Sequence, residues 1–134
     1  MIDPVALNDR IWISGQIAAE DLADAAARLG VRKVVNNRPD HEELGQPTSA
    51  EIGAAAESAG LAFLDAPVRG LPDPATVDRV GQFLKDGEPT LLFCRSGMRS
   101  AVTWAMAERA RGVPADDLRE QALAAGYDLS RVPL

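Results

Sequence analysis

The chain is poor in the residues that build cross-links and metal sites: its 134 residues include a single cysteine, Cys94, and a single histidine, His41. One cysteine excludes an internal disulfide and any Cys-x-x-Cys redox or zinc arrangement. One histidine beside it leaves little for a transition metal to bind, so no metal or other cofactor is expected. Long apolar runs are also absent, and nothing approaches the roughly 18 residues of a membrane span. Cations are scarce: 14 Lys and Arg stand against 20 Asp and Glu, for a net charge of −6. That balance opposes binding to nucleic acid by counterion release. Asp3 and Pro4 stand where a secretory leader needs a basic and then an apolar stretch, so a cytoplasmic location is expected.

The apolar content, 46%, suits a globular protein of this length, read as a single domain over 1–134. Short β-type runs at 11–13, 31–35, 61–64 and 90–93 alternate with helical patterns at 18–29, 48–59, 75–85, 100–111 and 115–125. Glycines and prolines punctuate them, Gly30, Gly60, Gly112 and Pro114 among them. Strands alternating with helices of this length predict an α/β fold, a mostly parallel central sheet with helices on both faces. The tail after 125 is predicted irregular.

In such sheets ligands sit beyond the carboxyl ends of strands. Cys94 falls there, after the most apolar strand (TLLF) and before a helix, in the segment Cys94-Arg95-Ser96-Gly97-Met98-Arg99-Ser100. Gly97 permits a positive φ and Ser96 is small, so the backbone can curl into a nest of N–H donors at the helix start. A free thiol, with a pKa of about 8.5, is only slightly ionised at neutral pH. A helix N-terminus with Arg95 and Arg99 supplies charge of the sign that favours the nucleophilic thiolate. Ser100 adds a hydroxyl for the thiolate or a leaving group. A buried inert cysteine is the bland alternative, but it is rarely set in so polar and cationic a loop.

The segment CRSGMRS is similar to the active-site loop of rhodanese-type sulfurtransferases, whose cysteine takes up sulfur as a persulfide. Tyrosine and dual-specificity phosphatases use a related loop, but with a histidine before the cysteine and an arginine one residue further on. Here Phe93 occupies the first of those places and Ser100 the second. SGQ at 14–16, VVNNRPDHEE at 34–43 and GYDL at 126–129 further resemble the beta-lactamase hydrolase-like, phosphatase-like domain family, over nearly the whole chain. The resemblance implies a cysteine-phosphatase-like (phosphotyrosine protein phosphatase-like) architecture with a loop of rhodanese length. It also implies sulfur transfer, with a persulfide dioxygenase as partner.

Loop length thus favours a sulfurtransferase as the first expectation. Cys94 would form a persulfide from a small anionic sulfur donor such as thiosulfate or a low-molecular-weight persulfide, then pass the sulfur to a thiol or cyanide acceptor. Arg99 joins Cys94 as a catalytic candidate, while Arg95, Ser96, Gly97, Met98 and Ser100 are candidates for binding substrate. The alternative is a cysteine-dependent phosphatase of phosphotyrosine or small phosphoesters. A second alternative is a sulfur carrier or sensor without turnover. A phosphatase also wants a general acid, for which Asp65 is the better candidate, because Asp73 reads as a helix cap. Arg38 and Asp40 either line the pocket mouth or brace the turn at Pro39. Gln16 reads as loop support, His41 and the pair Glu42 and Glu43 as solvated surface, and Trp12 and Trp104 as core anchors.

Overall fold

The computed structural model of the protein describes residues 3–134. Met1 and Ile2, where the leaderless reading begins, lie outside them. Ten elements follow one another: β1 (Val5–Ala6), β2 (Ile11–Ser14), α1 (Asp21–Leu29), β3 (Lys33–Asn36), α2 (Ser49–Ser58), β4 (Ala62–Asp65), α3 (Pro74–Leu84), β5 (Thr90–Phe93), α4 (Met98–Ala110) and α5 (Ala115–Ala124). The strands form one sheet in the order β1-β2-β5-β3-β4. Only the pairing of β1 with β2 is antiparallel. The predicted α/β class and mostly parallel sheet are observed. The added strand β1 was not predicted: its two residues are exposed and too few to show a period.

Both central strands, β3 and β5, are buried along their whole length, as covering on two faces requires. Alternation splits their side chains between two cores. Val34, Leu91 and Phe93 pack with Leu22 and Ile52 under α1 and α2. Val35, Leu92 and Ile13 pack with Val80, Trp104 and Leu118 under α3, α4 and α5. Trp104 is a core anchor, and Trp12, half-buried, packs against the other cluster. Among the described residues, no helix is long and apolar enough to cross a membrane.

Local chemistry sets the helix starts. Thr48 and Glu51 form a reciprocal capping box on α2, and Asp73 with Pro74 opens α3. Helix α1 begins later than predicted, because the Asp21 carboxylate accepts the Ala18 N–H at 2.8 Å and holds 18–21 in a turn. Helix α4 begins earlier, at Met98, directly after Gly97 in the left-handed region (φ 97°).

The register places the site. Ser14, Phe93 and Asn36 are level neighbours at the carboxyl ends of β2, β5 and β3. The loops beginning at Gly15, Cys94 and Asn37 therefore leave the sheet side by side, where the strand order reverses around β5.

Candidate active site

Cys94 continues β5 by one residue, its N–H donating to Ser14 O at 3.4 Å, and it is 1% exposed. Its Sγ accepts the Gly97 N–H at 3.1 Å. That contact needs the chain to double back within three residues, which the positive φ of Gly97 allows. The backbone N–H groups of Arg95, Ser96, Arg99 and Ser100 have no acceptor among the described residues. Unpaired donors at a helix start beside a sulfur are a ready site for an anion. On the other side of the loop, Arg95 O accepts the Gln16 N–H at 3.2 Å. A Cβ on Gly15 would stand 2.9 Å from that carbonyl, so the glycine permits the approach.

Arg99 projects from the first turn of α4 and is held by Glu42. Nη1 and Nη2 donate to the two carboxylate oxygens, each at 2.8 Å, and Nη1 also donates to Val68 O at 2.9 Å. A guanidinium has five N–H donors, and three of them are engaged here. The two left over, on Nε and Nη2, lie along one edge as a fork matched to two oxygens of an oxyanion. The Glu42 bond raises the Arg99 pKa above its usual value, and Cys94 adds to the shift, so guanidinium and sulfur are neighbours. In turn the Arg99 bond, aided by Arg38 and opposed by desolvation, lowers the Glu42 carboxyl to about 2.

Arg38 lies behind this pair, 1% exposed. Its Nε donates to Glu42 at 2.9 Å, Nη1 to Gln16 Oε1 at 3.0 Å and Nη2 to Glu43 at 3.0 Å. It therefore braces the turn after β3 and does not line an open mouth. Its carboxylate partners are Glu42 and Glu43, not Asp40, which caps α2 by accepting the Ser49 N–H at 2.8 Å. Reading Glu42 and Glu43 as plain solvated surface missed both bonds, since a side chain can be partly exposed and still close a network.

The remaining expectations divide. Ser100 is buried, but its hydroxyl donates to Asn37 Oδ1 at 2.8 Å, so that proton is committed away from Cys94. Asn37 in turn donates to Ala66 O at 2.9 Å, which ties α4, β3 and the loop after β4 together. Arg95 and Ser96 are exposed on the loop, and Met98 is 37% exposed at its rim. Asp65 has no hydrogen bond to the Cys94 loop. It ends the edge strand β4, two strands from β5 and so roughly 10 Å off, and its carbonyl accepts from Arg79 at 2.7 Å. Asp73 caps α3, accepting the Thr76 N–H at 2.8 Å. Gln16 supports the loops as expected, and His41 is exposed. Residue typing missed Asn37, Val68 and Tyr127, whose hydroxyl donates to Ser96 O at 3.3 Å. Asn37 and Tyr127 lie in the segments VVNNRPDHEE and GYDL, but nothing within those segments points to the partners they reach.

A strand-end cysteine under a turn of amide donors, with an arginine locked beside it, sits on a cysteine-phosphatase-like fold. PTPMT1 shares that fold at a TM-score of 0.73 and 17% identity, over 91% of this chain and 82% of PTPMT1. A candidate phosphatase from Neisseria meningitidis matches with a TM-score of 0.76 and 33% identity, over 93% of this chain and 89% of that one. Residues 3–111 match the model of the beta-lactamase hydrolase-like protein, phosphatase-like domain, and the chain belongs to that family. A beta-lactamase hydrolase-like protein of Xylella fastidiosa is 35% identical over 130 residues, 95% of this chain. The chain spans about 30% of the length of that relative.

These likenesses overturn the expectation of a sulfurtransferase. The family model is phosphatase-like, and the structures matched across the fold are phosphatases. Counting residues between Cys94 and Arg99 misled because it ignored where the helix begins. With α4 starting at Met98, Arg99 sits in the first turn, where its long side chain reaches back to the sulfur.

Proposed function

We propose that the protein is a cysteine-dependent phosphatase acting on phosphate monoesters, with Cys94 as nucleophile and Arg99 as the oxyanion clamp. The observation that carries this reading is the Arg99 fork: the N–H groups on Nε and Nη2 that Glu42 and Val68 leave uncommitted, on a guanidinium that Glu42 holds and Cys94 neighbours. A phosphoryl group presents oxygens at matching spacing and charge. The unpaired N–H groups at the start of α4 take up the remaining oxygens, and such preorganised donors act most strongly where charge spreads in the transition state.

In the first step the thiolate attacks phosphorus. An S–P bond forms, the ester P–O bond breaks, and the leaving oxygen departs with the electron pair. Water then attacks the phosphocysteine, breaking S–P and releasing inorganic phosphate and the thiolate. Asp73 is committed to the cap of α3, and Glu42, at about 2, is ionised at neutral pH. Neither is free to protonate the leaving group, which favours esters of phenols, phosphotyrosine included, over those of alkyl alcohols.

The test is hydrolysis of p-nitrophenyl phosphate by the wild-type chain and by Cys94→Ser. Turnover blocked by vanadate and reduced at least about 1,000-fold in the variant is expected. Absence of hydrolysis, together with failure of vanadate to protect Cys94 from alkylation, would sink the reading.

A further inference from the structure

We propose that Tyr127 is a positioning residue for the nucleophile loop, holding the Ser96–Gly97 peptide so that its N–H stays aimed at Cys94. The two edges of this one peptide are engaged at once. Its carbonyl, Ser96 O, accepts the Tyr127 hydroxyl at 3.3 Å, and its N–H, on Gly97, donates to Cys94 Sγ at 3.1 Å. Hydrogen bonds on opposite edges of an amide polarise each other, so the tyrosine strengthens the donor that the sulfur meets.

Local geometry alone does not hold this peptide. Gly97 has φ 97°, and a peptide that precedes a glycine can turn over at little steric cost, interchanging the common turn types. Turning over would put a carbonyl oxygen towards the sulfur in place of the N–H. Tyr127 opposes this by contact as well as by its bond. A Cβ on Gly97 would overlap the Tyr127 hydroxyl oxygen and stand 2.9 Å from Ile13 Cγ2, so the ring is packed flush on the loop.

Tyr127 is itself pinned. It follows the left-handed Gly126, and its N–H donates to Ala122 O at 2.8 Å, closing α5. Beyond it Leu129 is buried in the core, and Arg119 donates to Leu129 O at 3.4 Å and to Val132 O at 3.0 Å. Burial, with the charge of Cys94 adding to it, pushes the Tyr127 phenol up, so it remains a donor at neutral pH. The residue lies beyond 3–111, the stretch matched by the family model. The segment read from sequence as an irregular tail thus reaches the active loop.

This inference rests on Cys94 being the nucleophile, but its test needs no phosphatase substrate. The rate of Cys94 alkylation by iodoacetamide is measured against pH for the wild type and for Tyr127→Phe, which keeps the ring and removes only the hydroxyl. The expected result is a profile displaced to higher pH: roughly three- to tenfold slower near about pH 6, and equal above about pH 10. Superimposable profiles would overturn the proposal, as would a reduction equal at every pH, because that reports access and not stabilisation of the thiolate. An unproductive phosphatase assay leaves this readout untouched, so the two readings fail separately.

Discussion

Strand β3 has a buried cation at each end, and the two are held in different ways. Lys33 opens the strand, 9% exposed. Its Nζ donates to Phe83 O and to Asp86, the latter at 3.1 Å, and lies 4.0 Å from the centre of the Phe83 ring. Asp86 is half in solvent, so the pair is a snorkelling cation at the rim, anchoring β3 to the end of α3. Arg38, just past the other end, has a planar fork with a partner on each of its three nitrogens. Its partner Glu42 passes the constraint on to Arg99. A point charge suffices to fasten two elements, whereas aligning another guanidinium needs directional donors. The contrast assigns anchoring of elements to one end of β3 and alignment of the proposed active site to the other.

Removing the two cations in turn is the most direct challenge to that contrast. Arg38→Met is expected to lower kcat/KM by about 100-fold or more, because Glu42 then loses its second anchor, and to destabilise the fold by about 3 kcal/mol. Steady-state kinetics and urea unfolding would measure both, and retention of full activity in a folded variant would break the comparison. Glu42→Gln is milder. It keeps the shape but weakens the clamp, so kcat/KM is expected to fall about tenfold with stability changed by less than about 1 kcal/mol.

The same residue makes a pH prediction. The folded-state pKa of Glu42 is about 2, below an ordinary 4.5, so its contribution to stability is present above the ordinary value and is lost as pH falls through about 2. The difference in melting temperature between wild type and Glu42→Gln should therefore be constant above about pH 5 and shrink steadily towards pH 2. A difference that does not change across this range would mean that the Arg99 bond does not hold the carboxyl down. Smallest of all, Lys33→Met is expected to cost about 1 kcal/mol, since Asp86 rehydrates readily, and to leave kcat unchanged. A drop in kcat would show that both ends of β3 serve the site.

Much of the fold was legible because it is written in local patterns. The run TLLF, bounded by Pro89 and a polar loop, identified β5, and Asp73 with Pro74 identified the start of α3. Local patterns also marked Cys94 and the glycine that turns its loop. Boundaries slipped where a side chain intervened, as at Asp21, or where a left-handed glycine started a helix early, as at Gly97. Glu42 was misjudged because nothing near it in sequence indicates that Arg99, 57 residues on, returns to it. The same holds for Ser100 and Asn37, 63 residues apart.

By itself, then, the sequence determined the alternation of strands and helices, the place of Cys94 at a strand end and the cationic character of its loop. These depend on periodicity, caps and turn residues that act over a few positions. Only the tertiary structure decided what the arginine beside Cys94 is for. Parallel register sets the ends of β2, β5 and β3 level, bringing Gln16, Arg38, Glu42 and Arg99 into one hydrogen-bonded network. Such bonds join loops distant in the chain, and their geometry exists only once the sheet between them has formed.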